Sequence, residues 1–209
     1  MRSFLLDRIR LVNELIAGGP RVEYADLVLI LTAVLSACSA RRWPGRGDDH
    51  NRFVELLIAH SPPDAHCDYV CLSSLLFAGH ISERDTPWGP PGKSTRTFRD
   101  DEVDLPYSEA RLRFPHIQPL KLKKHTYASL IYSWLRCPYA HEYCMSESTS
   151  HVPATNQPAR ISYIGGRDPD GGRTATFHLD YLLSLATHHA ESVVDTPESQ
   201  PQKWWLQTA

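Results

Sequence analysis

Between Leu27 and Ala40 the chain runs for 14 residues without a charge, LVLILTAVLSACSA. A run of this kind must be hidden from water, and its length decides how. Spanning a bilayer takes about 20 residues, so the stretch falls short of that and reads as a helix buried inside the protein. It is apolar nearly all round, which places it at the centre of a bundle rather than on one face. The helix is predicted from about Tyr24 to Arg41, with Pro44 and Gly45 ending it.

Partners for such a helix are legible on either side. Phe4, Leu5, Ile9, Val12, Leu15 and Ile16 recur at three- and four-residue steps and predict an amphipathic first helix closed by Gly18-Gly19-Pro20. A third helix should begin near Asp49, capped by Asp48-Asp49, with Phe53, Leu56, Leu57 and Ala59 inward and Ser61-Pro62-Pro63 as its stop. A short fourth helix fits Cys71 to Ala78, and helical spacing returns from Thr126 to Leu135 and from Leu179 to Val194. ARISYIGG and GRTATFHL, separated by Arg167-Asp168-Pro169-Asp170-Gly171, predict a late β-hairpin. The stretch 86–119 is rich in Pro, Gly and charge and reads as a long irregular insertion. The expectation is a mainly α chain, one domain over 1–209, with a polar tail over 195–209 whose Trp204-Trp205-Leu206 dock elsewhere.

Charge and cysteine usage narrow the function classes. A formal net charge of −2 excludes a uniformly basic nucleic-acid coat, so contact with nucleic acid would need a local patch. Five cysteines, an odd number in a chain large enough to build a core, point to free thiols and a reducing, cytoplasmic setting. Asp7, Arg8 and Arg10 interrupt the apolar run that a signal peptide would continue, and no membrane association is expected. His66, Cys67 and Cys71, with His60 and His80 nearby, lack a matched zinc spacing, so no metal is assigned. Phosphate-cradling glycine motifs are missing from the sequence as well.

Chemistry concentrates in Arg136 to Tyr143, RCPYAHEY, where an arginine, a histidine and a tyrosine stand at the spacing R-x4-H-x-Y. These types suit phosphodiester cleavage. Imidazole exchanges protons near neutrality, and guanidinium holds phosphate oxygens without titrating. Ribose supplies its own nucleophile, so no metal or cofactor is required. In an unbroken helix, positions five apart lie about 140° round the axis and ~7.5 Å along it. Arg136 and His141 would then diverge, unless the helix ends near Arg136 and restarts at Pro138, or a second copy completes the pair. A plainer reading makes Arg136 a helix-end cation, His141-Glu142 a solvated pair and Tyr143 a core-edge aromatic.

The motif resembles that of the HEPN superfamily, whose ribonuclease members carry R-x4–6-H on a late helix of a helical bundle. Arg136 and His141 supply the match, and Tyr143 extends it to a form similar to HEPN toxins paired with a nucleotidyltransferase (MNT) antitoxin. The buried second helix, the RFVELLIAH helix and the late hairpin are looser echoes. The resemblance implies an HEPN-like helical bundle and a homodimer. It also implies a metal-independent endoribonuclease, of toxin or defence type, cleaving RNA by 2′-hydroxyl attack at the dimer interface. His141 would be general acid or base, Arg136 would stabilise the transition state, and Tyr143 would position RNA or receive AMP from an MNT partner. Cys137 stands where HEPN nucleases commonly have a polar residue, and Pro138 and the insertion are atypical. These departures leave a second reading, a non-catalytic HEPN-like domain binding RNA or a protein partner. Upstream, Arg111, Arg113, Lys121, Lys123 and Lys124 form the densest basic run, either a solvated surface or a strip gripping RNA phosphates.

Overall fold

The computed structural model describes residues 1–18, 22–45, 48–88, 96–144, 149, 159–165 and 173–198. The hairpin turn, the proline-rich part of the insertion and Trp204-Trp205-Leu206 lie outside the described residues.

The uncharged run lies within helix α2 (Tyr24–Arg42), as its composition predicts. Leu27, Val28, Leu31, Val34, Leu35 and Cys38 are all buried, and they point to more than one side of the helix. Covering them takes several neighbours: α1 (Arg2–Ala17), α3 (Asp49–His60) and the closing helix Leu179–Glu191 all pack against α2. Each fully buried leucine contributes roughly 2 kcal/mol relative to exposure, so the bundle is centred on this one helix. By length and mean hydropathy alone α2 is long and apolar enough to cross a membrane, yet 56% of that window is buried inside the protein.

The stretch 86–119 is more ordered than its composition suggests. After α4 (Leu72–Phe77), strand β1 (Tyr69–Val70) having led into it, the described part of the stretch forms β2 (Phe98–Arg99), α5 (Asp100–Val103), β3 (Leu105–Pro106) and α6 (Tyr107–Arg113). Phe98, Val103, Ala110, Phe114 and Ile117 from this stretch are buried in the core. Ala110, Phe114 and Ile117 stand at helical steps of four and three, but Phe98 and Val103 fit no such period, and their anchoring is visible only in three dimensions. α7 (Pro119–Lys123) then leads to α8 (Tyr127–Leu130), and α9 (Cys137–Glu142) carries the motif.

The predicted hairpin is β4 (Ile161–Gly165) paired antiparallel with β5 (Arg173–Phe177). β2 joins its free edge, with Phe98 opposite Tyr163, so the sheet has three strands in the order β2-β4-β5. β1 and β3 form a separate two-stranded pair. α10 (Leu179–Glu191) closes the bundle over α1 and α2 with Leu182, Leu185, Ala186 and Ala190 inward.

Candidate functional site

The motif does not sit on a broken helix. Leu130, Ile131, Arg136 and Cys137 all have right-handed helical dihedrals, and Arg136 is at φ −58°, ψ −50°. Between α8 and α9, Ile131–Arg136 forms instead a wide, π-helical turn, in which the Cys137 N–H donates to the Tyr132 carbonyl five residues back. Pro138 accounts for this. It has no N–H to offer the Trp134 carbonyl, and its ring would press on that carbonyl in a regular helix. Opening the turn by one residue relieves the clash without ending the helix. The restart expected at Pro138 is therefore corrected: the helix runs on through Arg136 into α9.

Arg136 is held where the wide turn meets α2 and α3. Its Nε donates to Ser36 Oγ at 3.5 Å, and its Nη2 lies 3.9 Å from Asp49 Oδ2. The guanidinium carbon sits 5.2 Å from the centre of the Tyr132 ring, and the side chain is 20% exposed. Tyr132 also receives Phe53 edge-on at 5.3 Å and His50 at 4.9 Å. Burial, followed by the neighbouring Cys137 thiol, pushes the Tyr132 phenol up to about 12, so it stays protonated. Asp49 is shared, since Arg52 also pairs with it while donating to the Gly45 carbonyl at 2.8 Å. Asp48 does not cap α3 with its side chain; its carboxylate takes the Asn51 amide at 2.5 Å. Burial holds the His50 imidazole below its usual range, against the opposing pull of Asn51 and Asp48.

The other motif residues face elsewhere. Tyr139 is buried, seating α9 on α2. His141 is exposed and has no partner among the described residues. Tyr143 ends α9 in the left-handed region at φ 50°, and its hydroxyl donates to the Asp26 carboxylate near the start of α2. Ser36 and Asp26 are about 15 Å apart along α2, so Arg136 and Tyr143 occupy separate stations on it. Within one chain, Arg136, His141 and Tyr143 are not brought together.

Of the basic run, Arg111, Arg113, Lys121 and Lys124 are exposed. Arg113 donates to the Asp85 carbonyl at 2.7 Å. Lys123 is a correction: it is 1% exposed, lies 5.8 Å from the Tyr107 ring centre and faces the charge of Glu55, so it cannot grip a phosphate from this position. α7 is a single turn, and its last residues, Leu122 and Lys123, both turn inward.

Two further polar clusters lie apart from the motif. Asp104, almost fully buried, accepts from the Leu72 N–H at 2.9 Å, from the Tyr127 hydroxyl at 2.6 Å and from the Tyr163 hydroxyl. Burial outweighs these three donors and raises its carboxyl to about 7. Ser74 Oγ lies 2.5 Å from His125 Nδ1, but Ser74 is 3% exposed and burial lowers His125 to about 4, so the pair is a closed core contact. His189, in the last turn of α10, is buried against Ser61 at 2.9 Å and burial lowers it to about 3, so it is neutral. The Cys38 and Cys67 thiols are pushed up to about 12 and about 11 by burial, as packing residues rather than nucleophiles. Among the described residues no group of three or more His, Cys, Asp or Glu side chains converges as a metal site. A cleft of about 310 Å³ beside α10, lined in part by Asp64, Arg160 and Tyr181, contains no motif residue.

No protein-family model matches the chain, and neither curated proteins nor solved structures yield a match. His50 and Tyr132 were not singled out from sequence, although the Tyr132 ring packs against both His50 and the Arg136 guanidinium. The signal was faint: an imidazole at the start of a helix and a tyrosine four residues before the motif arginine.

Proposed function

We propose that this protein is a metal-independent endoribonuclease of HEPN type, acting on RNA through Arg136 and His141, with a second copy of the chain completing the site. The observation that supports it is the state of Arg136. It is a fixed, partly exposed guanidinium at a π-helical turn, a local irregularity frequent at functional sites. A guanidinium so held suits a phosphate whose charge grows in the transition state. His141 is exposed and unpartnered among the described residues, free to serve a phosphate held by another chain. Arg111, Lys121 and Lys124 add exposed positive charge. Tyr143, exposed with its hydroxyl proton directed at Asp26, is a candidate acceptor of AMP from an MNT-type partner.

A specific observation favours the non-catalytic reading. Asp49 already faces Arg136, and a guanidinium with an internal carboxylate suits a static anion or partner contact as well as catalysis. Incubating the protein with single-stranded RNA in excess EDTA separates the two. The nuclease reading expects 2′,3′-cyclic phosphate ends, lost in Arg136→Ala and His141→Ala. Undamaged RNA that is nonetheless bound, with binding weakened by Arg136→Ala, would establish the binding module instead.

A further inference from the structure

We infer that His50 is a further catalytic residue of this site, the imidazole that exchanges the 2′-hydroxyl proton while Arg136 holds the same phosphodiester. The inference rests on the endoribonuclease reading above and names a group that the R-x4-H pattern does not contain.

Geometry carries it. His50 and the Arg136 guanidinium lie 4.9 Å and 5.2 Å from the centre of one ring, that of Tyr132. The two heads are therefore within roughly 10 Å of each other, a span that one phosphate and its ribose can bridge. Among the described residues, exposed His141 makes no hydrogen bond or ring contact with Arg136 in the same chain. Tyr132 is a stiff spacer, wedged by Phe53 and kept protonated, so it fixes the two heads without competing for the proton. His50 is only partly buried.

The charges facing His50 come from each element packed around it. Asp48 and Asn51 on its own helix favour the protonated ring, Lys124 beyond α7 opposes it, and Arg136 and Tyr132 approach from the wide turn. Burial prevails, leaving a neutral imidazole at neutral pH, the form a general base needs. The 2′-hydroxyl gives its proton to His50, the 2′-oxygen–phosphorus bond forms, and the bond from phosphorus to the 5′-oxygen breaks. A His141 supplied by the second copy of the chain protonates the leaving 5′-oxygen, and solvent then returns a proton to His141 and takes one from His50. The products are a 2′,3′-cyclic phosphate and a 5′-hydroxyl.

The test is single-turnover cleavage of a single-stranded RNA oligonucleotide by the full chain across pH 4.5–8. Wild type, His50→Asn, His50→Ala and Arg136→Ala are compared, with far-UV circular dichroism confirming their fold. His50→Asn is expected to slow cleavage at least 100-fold, leave RNA affinity within threefold, and abolish the fall in rate on the acid side. Added imidazole should restore part of the rate in His50→Ala. A His50→Asn enzyme that keeps both its rate and its acid limb, while Arg136→Ala is dead, overturns the role of His50 alone. Wild-type protein that cleaves no RNA, or cleavage indifferent to Arg136→Ala, overturns the endoribonuclease reading and this inference with it.

Discussion

Replacing Asp104 by Asn should change how stability depends on pH more than it changes stability at any one pH. The carboxyl is enclosed by α4, α8 and β4, accepting from one backbone N–H and two phenols. Those donors favour the anion, but burial favours the neutral acid more strongly, and the group moves from 3.8 to about 7. A carboxyl raised on folding stabilises the native state fully below its unfolded pKa and loses that contribution as pH rises through the folded value. A shift of this size corresponds to about 4 kcal/mol at 1.36 kcal/mol per unit, of which about 3 kcal/mol is lost between pH 5 and 8. Asparagine does not titrate. It keeps an oxygen for the Leu72 N–H and turns an amide towards phenol oxygens that can accept, for a pH-independent cost of about 1 kcal/mol. His125 and His189 titrate in both proteins and drop out of the difference. Urea unfolding from pH 5 to 8 should therefore show the variant gaining on the wild type by about 3 kcal/mol across the range. Parallel curves would refute the reasoning, because a carboxyl held below its unfolded value by the three hydrogen bonds would be ionised in both states across this range.

Other expectations follow from particular contacts. His189 and His125, lowered by burial, contribute stability above pH 6.5 that is lost as pH falls towards about 3 and about 4 respectively; His189→Gln should flatten the acid limb of a stability–pH curve. Lys123→Ala should destabilise the fold by about 3 kcal/mol, because it strips a buried charge from the neighbourhood of buried Glu55. Lys121→Ala, at an exposed site, should leave urea unfolding unchanged while reducing the salt dependence of RNA binding. Pro138→Ala restores a backbone donor to the helix and should raise stability by about 1 kcal/mol or more. By removing the reason for the wide turn it should also weaken RNA cleavage, which the EDTA-resistant assay reads directly.

The helical frame was legible because its signals are periodic and local. The uncharged run gave α2, and the three- and four-residue steps gave α1, α3 and α10, with ends within a few residues of those observed. The stretch 86–119 was misjudged because β2 and α5 are short and gain their places from partners far along the chain, Phe98 opposite Tyr163 and Asp100 bonded to Arg160. Lys123 was misread for a similar reason: a lysine in a basic run advertises exposure, and only the packing of a single-turn helix turns it inward. At the site, the composition of RCPYAHEY marked the region, but not which way its residues face. Pro138 was recognised as incompatible with a regular helix, while the response it evokes, a wider turn rather than a break, depends on the packing of the helix on either side.

That wide turn also separates two properties that sequence patterns treat as one. Over Ile131–Arg136 the chain spends a residue more per circuit than an α-helix does, so the halves of the rod are held out of phase. Deleting the exposed Ser133 would let the turn close to α geometry with the rest left in place, but closing it with every residue kept would swing everything after it by about 100°. Tyr139 would leave its seat on α2, and Arg136 would leave Ser36. RCPYAHEY would remain intact, letter for letter. Two chains with the same motif can thus present it to different neighbours, and the residue that decides between them stands outside the motif.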